Sequence, residues 1–383
     1  MTTETALALV HTAPAALESG ADLTADTLVP AITRRNEVAA FTNIGFPAAR
    51  DIDYRLFAPL LGHLLNNVGD PQTDPLYPGN VNDLERDVLA FFADLFRAPP
   101  GWSGYLTSGG TEGNLYALRQ ARTLLPNAIT YHSAAAHYSI PKALDLLRMP
   151  SAIVATTDTG EIDYADLHRH AARRRGRPAI VAANIGTTMT EAVDDVARIH
   201  AVLDDAGIFH RYVHSDAALS GIPLASASGR PAFDLADGAD SISISGHKFP
   251  GTPLVCGVVI TRRDVENPGS VVPYIASRDT TISGSRNGLA AAMLWYAIDK
   301  LGSAGFAERA RAARELADYT LHTLESIGWP AWRNPNALTV MLRALPAPIA
   351  ARWPLPTAGG WSHVICMPGV TRASVDALVA QLR

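Results

Sequence analysis

Apolar residues along this chain change their spacing in a way that separates helices from strands. Leu84, Val88, Phe91, Phe92 and Leu95 recur at helical spacing, which predicts a helix with one buried stripe, capped by Asn82 or Asp83. Short β-rich runs at 179–185, 212–215, 241–245 and 255–261 predict strands, with helical patterns or long connections between most of them. The last two, divided by residues 246–253, read as neighbours joined by a loop. Over residues 80–265 this alternation is the signature of an α/β domain with a largely parallel sheet. Beyond it come helical patterns at 288–301 and 304–327, strand-like runs at 337–342 and 363–367, and a closing helix from Ser374. These predict a smaller C-terminal α+β domain, with the proline- and alanine-rich stretch 346–356 as a connection. The expected organisation is an N-terminal segment 1–50, a large domain 51–265 and a small domain 266–383.

Length agrees, since 383 residues exceed the ~250–300 that a single core usually holds. A net charge of −5 provides no basic field for nucleic acid or an anionic membrane, so neither is expected as a partner and a small substrate is. The one basic cluster, Arg173, Arg174, Arg175 and Arg177, reads as a solvated helix end. Cys256 and Cys366 are too few for a disulfide framework, lack metal-binding spacing, and read as buried packing residues. His210 and His214 stand at i, i+4 but flank a strand-like run, so no metal site is expected. No apolar run approaches the ~20 residues of a membrane span, and the first sixteen residues carry no basic leader; the cytoplasm is the expected compartment.

Only three of the 32 lysines and arginines are lysine: Lys142, Lys248 and Lys300. Lys248 ends an apolar strand pattern, in Ser241-Ile-Ser-Ile-Ser-Gly-His-Lys248-Phe-Pro-Gly, among small residues that offer little solvent. Desolvation favours the neutral amine, the form that adds to an aldehyde. The bland alternative is a strand-end lysine whose stem covers apolar surface. Asp216 ends another strand pattern, in Tyr212-Val-His-Ser-Asp216-Ala-Ala-Leu-Ser-Gly. A carboxylate there can face a pyridinium nitrogen, as pyridoxal phosphate requires, or can merely cap a helix. In Tyr105-Leu-Thr-Ser-Gly-Gly-Thr-Glu-Gly-Asn a strand turns through glycines into a helix, a geometry whose N–H groups, with Ser108 and Thr111, can bind phosphate. The spacing fits neither a nucleotide P-loop nor a dinucleotide fingerprint. His137 stands at a strand-to-helix junction, where α/β folds form ligand sites.

Taken in order, these segments resemble the group II pyridoxal-phosphate decarboxylases, above all the bacterial histidine decarboxylases and the plant serine decarboxylases. The resemblance runs from Phe41 nearly to the end. It is carried by Asn43-Ile-Gly-Phe-Pro, Thr107-Ser-Gly-Gly-Thr-Glu-Gly-Asn, His137-Tyr-Ser, Asn184-Ile-Gly-Thr-Thr, Asp216-Ala-Ala-Leu-Ser-Gly, Ser245-Gly-His-Lys and Thr281-Ile-Ser-Gly-Ser-Arg-Asn-Gly.

The resemblance implies a type I, aspartate-aminotransferase-like fold, in a homodimer with active sites at the subunit interface. It implies pyridoxal phosphate bound to Lys248 as a Schiff base, with Asp216 at the pyridine nitrogen and His137 stacked on the ring. Ser108, Gly109, Gly110 and Thr111 would cradle the phosphate with Ser245 and His247 nearby. Thr187 or Thr188 would line the ring edge and Ala218 its face, while Ser283 to Arg286, including Ser285, would reach the neighbouring subunit's phosphate region. Only a short segment around Tyr274 stands where the wider group carries a long loop with a catalytic tyrosine, so Tyr274 and His137 are both candidates for protonating Cα. The implied reaction is decarboxylation of an amino acid. Asn43-Ile-Gly-Phe-Pro favours L-histidine giving histamine, whereas Gly69-Asp-Pro, Ala276-Ser-Arg-Asp and His363-Val-Ile-Cys-Met-Pro resemble enzymes that turn L-serine into ethanolamine. A decarboxylase or transaminase for an unusual amino acid is a further alternative, and a zinc hydrolase and a non-catalytic protein that binds the cofactor without turnover are rival classes.

Overall fold

The computed structural model describes residues 24–262 and 271–383. The leader reading on residues 1–16 and the boundary expected at 265–266 therefore lie outside the described residues. Two compact units emerge, one of residues 48–311 and one joining the described residues up to Pro47 with 312–383.

The larger unit is built on a seven-stranded sheet. Its strands are β1 (Ser103–Thr107), β2 (Ile129–Ser133), β3 (Ser151–Val154), β4 (Ala179–Asn184), β5 (Arg211–Asp216), β6 (Ser241–Ser245) and β7 (Gly257–Thr261). Their order across the sheet is β1-β7-β6-β5-β4-β2-β3. Strands β6, β5, β4, β2 and β3 pair in parallel, while β7 runs antiparallel between β1 and β6. The mostly parallel sheet expected from the sequence is thus present, as is the loop-joined pair β6 and β7. All six residues of β4 are buried, as expected of a strand inside a parallel sheet that reads as a nearly continuous apolar run. The edge strand β3 alternates exposed and buried positions instead.

Three helices matter for the site: α1 (Asn82–Leu95), α2 (Gly110–Leu124) and α3 (Ser139–Leu146). In α1 the buried stripe carries Val88 and Phe92 as expected and Leu89 besides, while Leu84, Phe91 and Leu95 are half-buried; the cap is Val81 and neither Asn82 nor Asp83. Asn82 is turned inward, its amide donating to the Val68 and Thr73 carbonyls at 3.4 Å, which removes it from capping. The stripe also contains Glu85, 0% exposed, which apolar periodicity could not reveal. Its carboxylate receives Arg286 Nε at 2.9 Å and Nη2 at 3.0 Å, Asn67 Nδ2 at 2.8 Å and the Leu106 N–H at 2.9 Å. The pair ties α1 and the strand residues 285–287 to β1.

Residues 288–301 and 304–327, expected as two helices, are two helices within Gly288–Ser326, separated by a break at Gly302 (φ 55°, ψ −175°). Glycine alone adopts that conformation without cost, so the gap in the pattern was the break itself. The smaller unit holds a four-stranded sheet in which Thr339–Arg343 pairs with Trp361–Ile365. Both strands are displaced by about one or two residues from the apolar runs at 337–342 and 363–367, because Leu338 and Cys366 remain buried beyond the ladder. Cys256 and Cys366 are both buried and neither is in a disulfide. Among the described residues, no helix is long and apolar enough to cross a membrane.

Removing one partner of a buried ion pair leaves an uncompensated charge, at about 3–5 kcal/mol. Arg286→Met should therefore destabilise the protein by that amount in urea unfolding, and adding Glu85→Met should recover much of it. A loss under about 1 kcal/mol for the single variant would show the pair to be energetically idle.

Candidate active site

Because β1, β2, β5 and β6 all run in the same direction, their carboxyl ends lie along one edge of the sheet, where α/β folds place ligands. Four loops meet there around a cavity of about 270 Å³. From β1 come Ser108, Gly109, Gly110 and Thr111; from the loop after β2 comes His137; from β5 come Asp216 and Ala218; from β6 come Ser245, His247 and Lys248.

Lys248 sits in a tight turn held by the Gly246 N–H on the Cys256 carbonyl at 2.8 Å. A Cβ at Gly246 would approach Cys256 Sγ to 2.5 Å, so only glycine lets β6 turn here. Burial lowers the pKa of the amine, against the opposing pull of Asp216 and Glu191; the uncharged form gains accordingly. Asp216 is 7% exposed. Its Oδ2 accepts from Asn114 Nδ2 at 2.8 Å and its Oδ1 from the Ala218 N–H at 3.4 Å. The second carboxylate, Glu191, is buried with φ 53° and accepts from Ser220 Oγ at 2.9 Å.

The glycine turn ends β1 and opens α2. Gly109 (φ 148°) has no side-chain cap over the first N–H groups of the helix. Glu112 closes the turn from behind, taking the Ser108 N–H at 2.7 Å and Tyr105 Oη–H at 2.8 Å. A Cβ at Gly110 would meet Ser245 Oγ at 2.8 Å and Ala218 Cβ at 3.5 Å. The turn is therefore a cradle that side chains would fill, with uncapped N–H donors, and it suits a phosphate. An aldehyde-reactive lysine, an ionisable carboxylate, an imidazole and a phosphate cradle around one cavity match the parts of pyridoxal phosphate.

His137 packs against Tyr138 with ring centroids 4.0 Å apart. Burial lowers its pKa, Asp216 opposes the shift, and Lys248 and Lys142 reinforce it. His137 and Tyr138 also border a second cavity of about 480 Å³, lined by Thr187 and Thr188 together with Asp158 and Met189. Three other expected residues lie away from both cavities. Tyr274 is 82% exposed, Ser283 Oγ donates to Glu112 Oε1 at 3.1 Å, and Ser285 Oγ accepts from Asn66 Nδ2 at 3.3 Å. Arg286 is engaged with Glu85 and the Gly69 carbonyl.

Sequence reasoning assigned no role to Asn114, Ser139 or His214, all of which are buried around Asp216. Signals existed: Asn114 lies one helical turn after Gly110, and His214 shares a strand face with Asp216 two residues later. Both ring nitrogens of His214 are engaged, with Ser241 and Asn114.

The pyridoxal-dependent decarboxylase conserved domain matches residues 25–328. A histidine decarboxylase of Mesorhizobium japonicum is 47% identical over 339 residues, 88% of this chain and 91% of that protein. Another from Vibrio campbellii is 39% identical over 345 residues, 88% and 89% of the two. Among solved structures, L-methionine decarboxylase from Streptomyces sp.590, complexed with L-methionine methyl ester, superposes with a TM-score of 0.83 at 26% identity, covering 94% of this chain and 95% of that one. A sphingosine-1-phosphate lyase from Burkholderia pseudomallei, at 19% identity and TM-score 0.77 with 96% and 93% covered, shares the fold, that of the type I pyridoxal-phosphate enzymes. On a match that spans most of its length, the chain belongs to the pyridoxal-dependent decarboxylase family and is a carboxy-lyase that uses pyridoxal phosphate.

Proposed function

We propose that this enzyme decarboxylates L-histidine to histamine and carbon dioxide, as a cytoplasmic homodimer with active sites at the subunit interface. The convergence of Lys248, Asp216, His137 and the glycine turn on one cavity carries the cofactor assignment. The 47% identity to a histidine decarboxylase over most of the chain supports the substrate.

Pyridoxal phosphate, when bound, supplies an electron sink for the pair left at Cα as carbon dioxide departs. Lys248 is the covalent attachment point, its amine kept reactive by burial. Asp216, held by Asn114, is the acceptor that keeps the ring nitrogen protonated. Ser108, Gly109, Gly110 and Thr111 take the phosphate, with Ser245 and His247 beside them. His137 and Ala218 contact the ring faces, and Thr187 or Thr188 its edge. Tyr274, outward on its own subunit, protonates Cα in the neighbour's site, and Ser283 and Ser285 extend toward the neighbour's phosphate.

Lys248→Ala should fold and fail to turn over; multiple turnovers would remove Lys248 from its role. Asp216→Ala should lower kcat on the order of 10²-fold, the usual scale for losing a preorganised electrostatic partner, and an unchanged kcat would exclude it. Gly110→Ala forces Ser245 aside, an overpacking of about 1–3 kcal/mol, and should weaken cofactor binding about ten- to a hundredfold; unchanged affinity would place the phosphate elsewhere. With L-histidine, L-serine and L-methionine offered separately and amine and carbon dioxide quantified, histamine should dominate. Ethanolamine or the methionine-derived amine as main product would keep the reaction and replace the substrate.

A further inference from the structure

Asn114 is 1% exposed, and its amide joins four other side chains. Its Oδ1 accepts from Ser243 Oγ at 2.6 Å and meets His214 Nε2 at 2.9 Å. Its Nδ2 donates to Asp216 Oδ2 at 2.8 Å and to Ser139 Oγ at 2.9 Å. An ionised carboxylate can only accept, so the amide nitrogen must face Asp216 and the oxygen must face His214. His214 therefore carries its hydrogen on Nε2, and its Nδ1 accepts from Ser241 Oγ at 2.8 Å. Burial holds the His214 pKa down to about 4, so that ring stays neutral at physiological pH. Close approach of α2 to β6 makes the contact possible: a Cβ at Gly113 would meet Ser243 Cβ at 2.8 Å.

The same logic passes outward to the cavity. Ser139 Oγ accepts from Asn114, which leaves its own hydrogen for His137 Nδ1, 2.8 Å away. The Ser139 backbone N–H points at the same nitrogen at 3.3 Å, and a backbone N–H can only donate. Two donors on Nδ1 leave the hydrogen of the ring on Nε2.

We propose that Asn114 is a positioning residue that orients Asp216 as a hydrogen-bond acceptor and, through Ser139, locks His137 as the neutral imidazole protonated on Nε2. His137 then offers an N–H donor and no imidazolium acid. Adding a proton at Nδ1 would set it against the Ser139 N–H, so the hydrogen delivered to Cα comes from another group. The charged and titratable groups facing His137 are Asp216 from β5, Lys248 from the turn after β6, and Lys142 and Tyr138 around the start of α3, with Lys142 Nζ 4.9 Å from the Tyr138 ring centroid. Both lysines oppose a cationic ring. The catalytic consequence rests on the decarboxylase reading above; the tautomer does not.

The test is 15N NMR of the full-length holoenzyme labelled on histidine, with His137 assigned by the signals lost in His137→Gln. Between about pH 6 and 8, where an ordinary histidine titrates, His137 should show an unprotonated Nδ1 and a protonated Nε2. A hydrogen on Nδ1, or an imidazolium at neutral pH, would overturn the proposal whatever the variants do. In Asn114→Leu the Ser139 hydroxyl is released, and His137 should take up its proton about one pH unit higher. Ser139→Ala, which leaves the Asn114 to Asp216 bond in place, should raise it likewise with the cofactor still bound. Unchanged His137 signals in either folded variant would contradict the relay. Failure to produce histamine would overturn the substrate reading and leave these nitrogen signals as they are.

Discussion

A carboxylate at the buried end of β5, whose oxygens need donors in place of water, is the constraint around which this site is organised. Asp216 is 7% exposed, and a buried carboxylate stays charged only if donors or cations replace the water it has lost. The Asn114 amide supplies a donor at 2.8 Å, and the Lys248 amine shares the same cavity. Those two partners make opposite demands. Lys248 must lose charge to react with an aldehyde, yet Asp216 and Glu191 stabilise its cation. Burial outweighs them in the net shift, and the proposed attachment of the cofactor at Lys248 rests on that balance.

The sheet supplies the precision that such a balance requires. Pairing of β5 with β4 and β6 sets Asn184, Asp216 and Ser243 side by side in register. A one-residue slip would turn Asp216 to the opposite face. Asn114 reaches Asp216 across 102 residues of sequence because Gly113 brings α2 against β6. The buried Glu85 and Arg286 pair braces β1 through the Leu106 N–H, one residue before the strand end that opens into the glycine turn. Packing, backbone permissiveness and charge thus converge on one sheet edge.

Much of this was legible in the residues. The alternation of patterns gave the α/β sheet, and scarcity singled out Lys248. Strand-end positions marked Asp216 and His137, all of which the structure gathers in one cavity. What stayed hidden were polar residues buried by tertiary pairing. Glu85 interrupts an apolar stripe, and only Arg286, distant in sequence, explains it. Asn114 and His214 have ordinary surface chemistry, and their role depends on contacts that no local pattern encodes. Element ends also shifted where burial continued past the ladder, as at Leu338 and Cys366. Tyr274, Ser283 and Ser285, expected from the resemblance, lie outside both cavities of their own chain.

The most direct test of the central claim uses the scarcity of lysine itself. Holoenzyme treated with borohydride, digested and analysed by mass spectrometry should carry the reduced cofactor on the peptide containing Lys248, one of only three lysines in the chain. Label on Lys142 or Lys300 instead, or active enzyme with no label on any lysine, would contradict the account.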